Sequence, residues 1–254
     1  MCILYMSLTY KDVGTPIAVD LTEETDNNMI SVSKAEGPRE AIGKFEILPD
    51  LVNGFDVVYI CGAMGSGKSY FVCEYAQQYR RLCPKNSIHV FSQKTSDPSL
   101  NRCDDLKLNY NVLDKDFLDK PIDITNCKRF HNSLIIFDDF MSFSDKKITE
   151  TIINLILQCI TLGRQYNIST VITSHLFYGF NNKTLYMNIQ NECRKLVWFN
   201  NSVNKYQLRR VLNQYWGYTQ REITGFMRYD TKSRYTMINR NPQYIMTRYH
   251  IKLI

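Results

Sequence analysis

The chain has 254 residues, of which 44% are hydrophobic and 22% are charged. This composition is that of an ordinary globular protein with a sizeable core, and it excludes collagen-like, disordered and mini-protein classes. The most apolar run, residues 57–65, is far shorter than the roughly 18 residues of a membrane-spanning helix, so no membrane span is predicted. The N-terminus has neither a basic segment nor a small-residue cleavage site around its apolar stretch, so we expect no signal peptide.

The eight cysteines form no C-x-x-C pair, which argues against a zinc site. Several fall within apolar patterns, where cysteine acts as a small hydrophobic residue. Because the chain has this size and no secretion signal, we expect it in a reducing compartment.

Charge is distributed unevenly along the chain. Residues 1–53 carry a net charge of −5, residues 54–204 one of +3, and residues 205–254 one of +8. A polyanionic partner would therefore meet the C-terminal end, although a solvated surface with excess Lys and Arg explains the same pattern.

Three segments are predicted. Residues 1–43 form an acidic N-terminal arm, and its residues 10–40, which are polar and show little periodicity, are either a loosely ordered arm or a covering segment. Residues 44–200 form a core in which strands and helices alternate, and residues 201–254 form basic C-terminal helices and a hairpin packed on that core.

Within the core, short and largely apolar runs predict strands that are covered on both faces, as in a parallel sheet. These runs are Phe55–Cys61, Ser87–Gln93, Ser133–Asp138, Ile168–Ser174 and Lys195–Phe199.

Apolar residues at three- and four-residue spacing predict helices over Tyr70–Leu82 and Lys147–Leu162. Ser144 and Asp145 are candidate N-caps of the second helix, and Gly163 is its predicted stop. A hairpin is predicted from Phe226–Tyr229 and Arg234–Ile238 around a turn at 230–233.

Residues 62–69 read Gly-Ala-Met-Gly-Ser-Gly-Lys-Ser and match the phosphate-binding pattern G-x-x-x-x-G-K-[ST] without a mismatch. A predicted strand precedes the loop and an amphipathic helix follows it, which is the setting that the motif requires. The glycines let backbone N–H groups approach phosphates, Lys68 brings a cation to the β and γ oxygens, and Ser69 can ligate Mg²⁺. The residues predicted to bind the nucleotide are Gly62, Ala63, Met64, Gly65, Ser66, Gly67, Lys68, Ser69 and Tyr70.

Two carboxylates, Asp138 and Asp139, follow a buried strand. The carboxyl ends of strands line the ligand crevice of a doubly wound sheet, so these acids are predicted to lie beside the loop. Asp138 is predicted to hold Mg²⁺, and Asp139 to orient or deprotonate the attacking water.

The predicted nucleotide is ATP. The guanine-reading pattern N-K-x-D has an incomplete candidate at residues 182–185, where its Asp is replaced by Leu185. A small nucleoside kinase is also disfavoured, because we find no Arg-rich lid and the basic C-terminal end would have no role.

The loop at 62–69, the strand that ends in Asp138-Asp139 and the segment at 162–175 together resemble the FtsK/HerA-type genome-packaging ATPases of large DNA viruses and virophages. The poxvirus packaging ATPase belongs to that family. The resemblance covers residues 44–240 and implies an α/β P-loop NTPase of the ASCE, RecA-like type. Its parallel sheet would be flanked by helices and followed by a C-terminal helical and hairpin extension.

The resemblance also implies roles for residues near the fourth core strand. Arg164 would stabilise charge on the transferring phosphoryl group, in its own subunit or in a neighbour's. The alternative for Arg164 is a cation favoured by the dipole at a helix C-terminus. His175 stands where the family commonly has a Gln sensor, and Ser174 could serve the same polar function. With Lys68 and Asp139, Arg164 completes the predicted catalytic set.

The function implied by the resemblance is an ATP-hydrolysing, double-stranded DNA translocase that packages a viral genome. Such a motor would be a homo-oligomeric ring that meets a capsid or portal component in the host cytoplasm, in a virus factory or in the virion. The alternatives are a cellular or plasmid DNA-pumping or helicase ATPase, and a nucleotide-binding assembly protein that does not hydrolyse ATP. The basic side chains predicted to contact DNA phosphates are Lys205, Arg209, Arg210, Arg228, Lys232 and Arg234.

Overall fold

Two sheets organise the part of the chain that the computed structural model describes, which is residues 6–10, 13–22, 28–51, 54–102, 106–114, 117–118, 122–141, 145–177, 183–230 and 232–254. The smaller sheet has four strands and the larger has ten. None of the described helices has the length and apolar character needed to cross a membrane.

The strands are short and follow one another along the whole chain. They are β1 (Ser7–Thr9), β2 (Thr15–Asp20), β3 (Met29–Ser33), β4 (Glu40–Ile42), β5 (Phe45–Ile47), β6 (Val57–Cys61), β7 (Ser87–Ser92), β8 (Leu108–Val112), β9 (Ser133–Phe137), β10 (Ile168–Ser174), β11 (Lys195–Phe199), β12 (Tyr235–Asn239), β13 (Tyr244–Thr247) and β14 (His250–Leu253). The helices are α1 (Lys68–Leu82), α2 (Lys146–Leu162), α3 (Lys183–Glu192), α4 (Lys205–Gln214) and α5 (Gln220–Phe226).

The larger sheet has the order β4-β14-β13-β12-β11-β6-β10-β9-β7-β8. From β8 to β11 neighbouring strands run parallel, and from β11 to β4 they run antiparallel. All of the predicted core strands are present, with ends that differ from the predicted ones by at most two residues. The strand β10 lies between the loop strand β6 and the acid-bearing strand β9.

The central strands are buried on both faces, as their apolar composition predicts. On β6, Tyr59 packs into one core and its neighbours Val58 and Ile60 pack into the other. Helix α2 contributes to the first core with Ile152 and Ile156. Helix α1 contributes to the second core, so helices cover the sheet on both sides.

Both predicted core helices form. Asp145 caps α2, since its carboxylate accepts hydrogen bonds from the backbone N–H of Lys147 and Ile148 at 2.8 and 3.3 Å; Ser144 lies outside the described residues. The predicted stop at Gly163 is confirmed, because the α-helix ends at Leu162 with Gly163 as its C-cap, and Gly163, with a φ of −52°, starts a 3-10 turn. The chain leaves that turn at Asn167, which has a left-handed φ of 53°.

Of the two alternatives for the N-terminal arm, the described residues contradict a loosely ordered arm and agree with a covering segment. Strands β1, β3, β2 and β5 form the smaller antiparallel sheet, and β4 pairs with β14 at the edge of the larger one. Alternating apolar residues such as Ile30 and Val32 are buried in the same core as α1. Because β5 pairs with β2, a boundary at residue 43 cuts through this sheet.

The predicted C-terminal hairpin is wrong in its first half. Thr219 and Glu222 form a reciprocal capping box that starts α5, and this helix includes Phe226. The strand predicted at Arg234–Ile238 is β12, but β12 pairs with β11 on one side and with β13 on the other. The C-terminal strands therefore continue the larger sheet.

Candidate nucleotide-binding site

Three strand ends meet at one edge of the larger sheet. In the parallel register Cys61 of β6 lies opposite Ser174 of β10, and Phe137 of β9 lies opposite Ile172. The residues that follow these strands therefore leave from the same edge. They are the loop at 62–67, the acid pair at 138–139, and His175.

The loop depends on its glycines for shape. Gly65 and Gly67 have φ values of 73° and 109°, a region that favours glycine. A Cβ on Gly62 would lie 2.6 Å from Ser66 Oγ and 2.9 Å from the ring of Phe199, so a larger residue there would force one of these side chains to move.

Helix α1 starts directly after the loop, with Gly67 as its N-cap. Among the described residues no side chain caps this N-terminus, and the first turn holds no acidic residue. The leading N–H groups and the positive end of the helix dipole thus suit an anion.

Lys68 lies across the mouth of the loop. Its Nζ donates to the carbonyl oxygens of Gly62 and Ala63 at 2.9 and 3.3 Å. The same ammonium lies 3.3 Å from His175 Nδ1 and 3.6 Å from Asp139 Oδ1. One cation therefore links the loop to the ends of two neighbouring strands.

Asp139 is held in an unusual backbone conformation. Its φ of 45° is in the left-handed region, which a non-glycine residue rarely adopts. Its backbone N–H donates to Thr173 Oγ1 at 2.8 Å, and its Oδ2 lies 3.3 Å from His175 Nε2. The turn directs the carboxylate of Asp139 toward Lys68 and His175.

Asp138 lies deeper than Asp139. Asp138 is 8% exposed, and its Oδ1 accepts a hydrogen bond from Thr173 Oγ1 at 3.1 Å. Burial raises the pKa of the Asp138 carboxyl, and the charge of Asp139 raises it further. A nearby cation would relieve this cost of holding two carboxylates together.

Mg²⁺ fits the oxygen donors of this edge. The Ser69 hydroxyl at the start of α1 and the Asp138 carboxylate are hard oxygen ligands of the type that Mg²⁺ prefers. The described residues hold no cluster of three or more His, Cys, Asp or Glu side chains suited to a metal ion. Mg²⁺ normally takes most of its ligands from phosphates and water, so these two groups are a sufficient protein contribution.

A virophage protein and several solved structures are similar to this chain. No protein-family profile matches the chain. The uncharacterized protein V3 of Sputnik virophage is 29% identical over 198 residues, which cover 78% of this chain and 76% of V3. The genome packaging NTPase B204 of Sulfolobus turreted icosahedral virus 2, in complex with AMPPCP, matches 79% of this chain and 98% of its own at 15% identity and a TM-score of 0.51.

The chain has the fold of a viral genome-packaging NTPase. A second structure with this fold is EssC (ATPases 2 and 3) from Geobacillus thermodenitrificans, at 12% identity and a TM-score of 0.53. The match covers all of this chain and 47% of the solved EssC chain, so this chain spans about half the length of that solved chain. The α/β P-loop fold predicted from the sequence is confirmed, and the predicted resemblance holds at the level of the packaging-NTPase fold.

The two predicted sensor residues differ in what they touch. The hydroxyl of Ser174 is hydrogen-bonded to the backbone of Leu176, with its O at 3.0 Å and its N at 3.2 Å. His175 instead contacts both Lys68 and Asp139. Sequence reasoning missed Thr173, whose hydroxyl links Asp138 with the backbone of Asp139. The signal that could have found Thr173 is the parallel register of β9 and β10. Ile172 pairs with Phe137, so Thr173 lies beside Asp138.

The structure does not bring Arg164 to the loop of its own chain. Arg164 is exposed in the 3-10 turn that precedes β10, at the edge opposite the loop. Because a strand rises about 3.3 Å per residue, the length of β10 separates the two by roughly 20 Å. Arg164 lines a cavity there together with Arg194 and Arg240.

The six predicted DNA contacts are all exposed but fall in different places. Lys205, Arg209 and Arg210 lie on α4, and Arg228 follows α5. Lys232 and Arg234 instead line a cavity with Gly67 of the phosphate-binding loop.

Residues after β11 complete the surroundings of the loop. Ser202 Oγ accepts a hydrogen bond from the backbone N–H of Ala63 at 3.3 Å. The ring of Phe199 packs against the Cα side of Gly62 and Gly67. Sequence reasoning missed both residues, because only the pairing of β11 with β6 brings them to the loop.

Proposed function

We propose that this chain is an ATP-hydrolysing motor that moves double-stranded DNA into a viral capsid. The observation that carries the proposal is the convergence of Lys68, Asp138 and Asp139 at one edge of the sheet, with the Lys68 ammonium 3.6 Å from Asp139. The B204 structure, described as a genome packaging NTPase with AMPPCP, has the same fold and supports this choice among P-loop functions.

Binding of the triphosphate would use the loop and the start of α1. Backbone N–H groups of the loop and of the first turn of α1 would donate hydrogen bonds to the phosphate oxygens, and Lys68 would exchange its contacts with Gly62 and Ala63 for the β and γ oxygens. Ser69 and Asp138 would hold Mg²⁺, which when bound supplies positive charge to the β and γ phosphates.

Hydrolysis requires a group that orients the attacking water and takes its proton. Asp139 is suited to this role, because its side chain is 34% exposed and thus open to water and ligand. His175 Nε2 lies 3.3 Å from Asp139 Oδ2, and Thr173 holds the Asp139 backbone. His175 and Thr173 therefore position the Asp139 carboxylate. His175 also contacts the Lys68 ammonium, so it connects the carboxylate with that cation.

Charge stabilisation by Arg164 would occur in a neighbouring subunit. The position of Arg164 at the opposite edge of the sheet supports a role in the site of the next copy in a homo-oligomeric ring. A ring also suits a motor that encloses duplex DNA, whose phosphates the exposed Lys205, Arg209, Arg210 and Arg228 would contact. The partner would be a capsid or portal component, and the setting the host cytoplasm, a virus factory or the virion.

The deciding experiment measures phosphate release by the purified protein with and without duplex DNA. We expect hydrolysis that duplex DNA stimulates, a loss of at least about 100-fold in Lys68→Ala and in Asp139→Asn, and a DNA affinity that falls steeply as salt rises. Ser174→Ala tests the other predicted sensor position, and we expect a much smaller loss there, because the Ser174 hydroxyl is hydrogen-bonded to the Leu176 backbone. Unchanged turnover in Lys68→Ala would contradict the proposal.

The other candidate functions predict different results. Strand unwinding would indicate a helicase, and tight ATP binding without phosphate release, with or without DNA, would indicate an assembly protein.

Mixed rings test the proposed role of Arg164. If Arg164 acts between subunits, mixing inactive Lys68→Ala and Arg164→Ala proteins restores part of the activity, whereas a role within one subunit restores none.

A further inference from the structure

A cavity of about 480 Å³ opens beside Gly67. One wall is a face of α1 that carries Tyr70 and Glu74, and the opposite wall comes from Arg234 and Tyr249 of the C-terminal segment. We call this space the side cavity. Its volume lies within the range of about 300–1,000 Å³ that is typical of small-molecule sites.

The side cavity is continuous with the phosphate-binding loop. Gly67, Tyr70 and Glu74 follow each other at three- and four-residue spacing, so they form one face of α1. The cavity therefore extends from the end of the loop along the helix. A ligand whose phosphates lie on the loop would project any attached group along this face.

Two aromatic rings in the side cavity are open to a ligand. Tyr70 is 45% exposed and Tyr249 is 42% exposed. The Arg102 guanidinium lies 5.1 Å from the centroid of the Tyr70 ring. By contrast, Phe71 and Tyr235 in the same cavity are buried and pack edge to face at 4.9 Å. The exposed rings provide flat surfaces on which a planar base can stack.

The cationic side chains of the side cavity also form two groups, one neutralised by carboxylates and one exposed without an ion-pair partner among the residues that the structure describes. Arg248 is neutralised by Glu74 at 3.0 Å and by Glu46 at 3.6 Å. Lys232 and Arg234 are exposed and have no ion-pair partner in the described part of the chain. Arg234 also lines a second, smaller space with Gly65 and Ser66, so it flanks the loop itself. The uncompensated positive charge thus lies next to the phosphate-binding residues.

We infer that the side cavity receives the base and ribose of the nucleotide, with Tyr70 stacking on the base and Arg234 facing the phosphates. This inference rests on the proposed function only in that residues 62–69 bind a nucleoside triphosphate. It reassigns Lys232 and Arg234, which the sequence predicted as DNA contacts, to the nucleotide.

The test compares two ligands that share the polyphosphate but differ in the nucleoside. Binding of a non-hydrolysable ATP analogue and of inorganic tripolyphosphate, each with Mg²⁺, is measured by calorimetry. We expect Tyr70→Ala to weaken the ATP analogue at least tenfold and to leave tripolyphosphate within twofold of the wild-type value. Tyr70→Phe keeps the ring and is expected to bind both ligands as the wild type does.

A matched control is Tyr206→Ala, which removes an exposed tyrosine of α4 that does not line the side cavity. It is expected to leave the binding of both ligands unchanged. Arg234→Ala is expected to weaken both ligands at least threefold and to leave duplex DNA affinity within twofold. Thermal melting of each variant checks that it is folded.

The outcomes separate this inference from the proposed function. If Lys68→Ala abolishes binding of both ligands but Tyr70→Ala and Tyr249→Ala bind the ATP analogue normally, the loop is a nucleotide site and the inference is wrong. If Arg234→Ala and Tyr70→Ala lose DNA affinity and keep ATP affinity, the side cavity is a DNA surface, and the inference is again overturned. If the wild type binds neither the ATP analogue nor tripolyphosphate, the proposed function itself fails.

Discussion

The two edges of the larger sheet formed by the amino ends and by the carboxyl ends of its parallel strands each hold a lysine beside an aspartate. The two pairs differ in their exposure. At the amino end, Lys195 Nζ bonds to Asp56, and the two side chains are 1% and 0% exposed. The same carboxylate oxygen accepts from Tyr75 OH at 2.8 Å and from the backbone N–H of Asp50 at 3.0 Å. This pair is closed to solvent and to ligands.

At the carboxyl end the arrangement is open. Lys68 is 6% exposed, but Asp139 and His175 beside it are each 34% exposed. The Lys68 ammonium lies 3.6 Å from Asp139 and bonds mainly to loop carbonyls. Contacts of this kind can be exchanged for a ligand, whereas those of Asp56 and Lys195 cannot. Access to solvent and ligand, and not residue type, therefore separates a binding pair from a structural pair.

The largest expected effect is on stability at the closed edge. Lys195→Met leaves Asp56 charged and buried without its cation, so we expect the free energy of unfolding to fall by about 3–5 kcal/mol. Chemical denaturation of the purified protein measures this change.

The open edge supplies the matched variant. Lys68→Met removes a cation whose partners remain partly solvated, and we expect it to change the free energy of unfolding by less than about 1 kcal/mol. Equal losses of unfolding free energy in Lys195→Met and Lys68→Met would contradict the difference between the two pairs that we infer from their exposure.

An intermediate effect is expected along β10, which spans both edges. Thr173 links Asp138 and Asp139, so Thr173→Val is expected to lower kcat about tenfold, the effect of roughly 1.4 kcal/mol, with little change in KM. Steady-state phosphate release measures both constants.

Thr170 is the control on the same strand. Its buried hydroxyl has no hydrogen-bond partner among the described residues, so Thr170→Val is expected to leave kcat and KM unchanged. A loss of kcat in Thr170→Val as large as that in Thr173→Val would mean that packing of β10, and not the hydroxyl between the acids, sets the rate.

The smallest expected change in stability concerns His89. Its side chain is buried in the sheet near the cation Arg129. Burial lowers the pKa of His89 below its ordinary value of 6.5, and the charge of Arg129 lowers it further. The folded state therefore favours neutral His89, and its contribution to stability is present above pH 6.5 and is lost as the pH falls through the lowered pKa.

We expect the wild type to lose unfolding free energy through this residue as the pH falls from 7 to 5. Denaturation of His89→Gln across this range is expected to show a correspondingly weaker pH dependence. An identical pH dependence of the two proteins would mean that burial of His89 does not influence stability.

Local patterns in the sequence were sufficient for five of the six described parallel strands, all except β8, and for the loop. The glycines and Lys68 are set by a contiguous motif, and the acids follow a strand whose apolar run is itself visible. The position of Asp139 relative to Lys68 then follows from the rule that carboxyl ends of parallel strands share an edge.

The parts that could not be predicted depend on pairing between distant segments. Arg234 reaches the phosphate-binding loop because β12 pairs with β11, which pairs with β6. The N-terminal strands are short, and their apolar residues are interrupted by polar ones, so their local signal is weak. Their burial depends on α1, which shares a core with them and lies far from them in sequence.

The pairing of β4 with β14 has a consequence for any shortened form of this protein. Without residues before 44, β14 would present unpaired N–H and C=O groups along an open edge, where a second molecule could add a strand. The same cut would uncover apolar side chains that β2 and β3 now shield, so the shortened protein would be prone to aggregate. The N-terminal segment is thus a cover on the larger sheet and cannot be removed as a separate appendage.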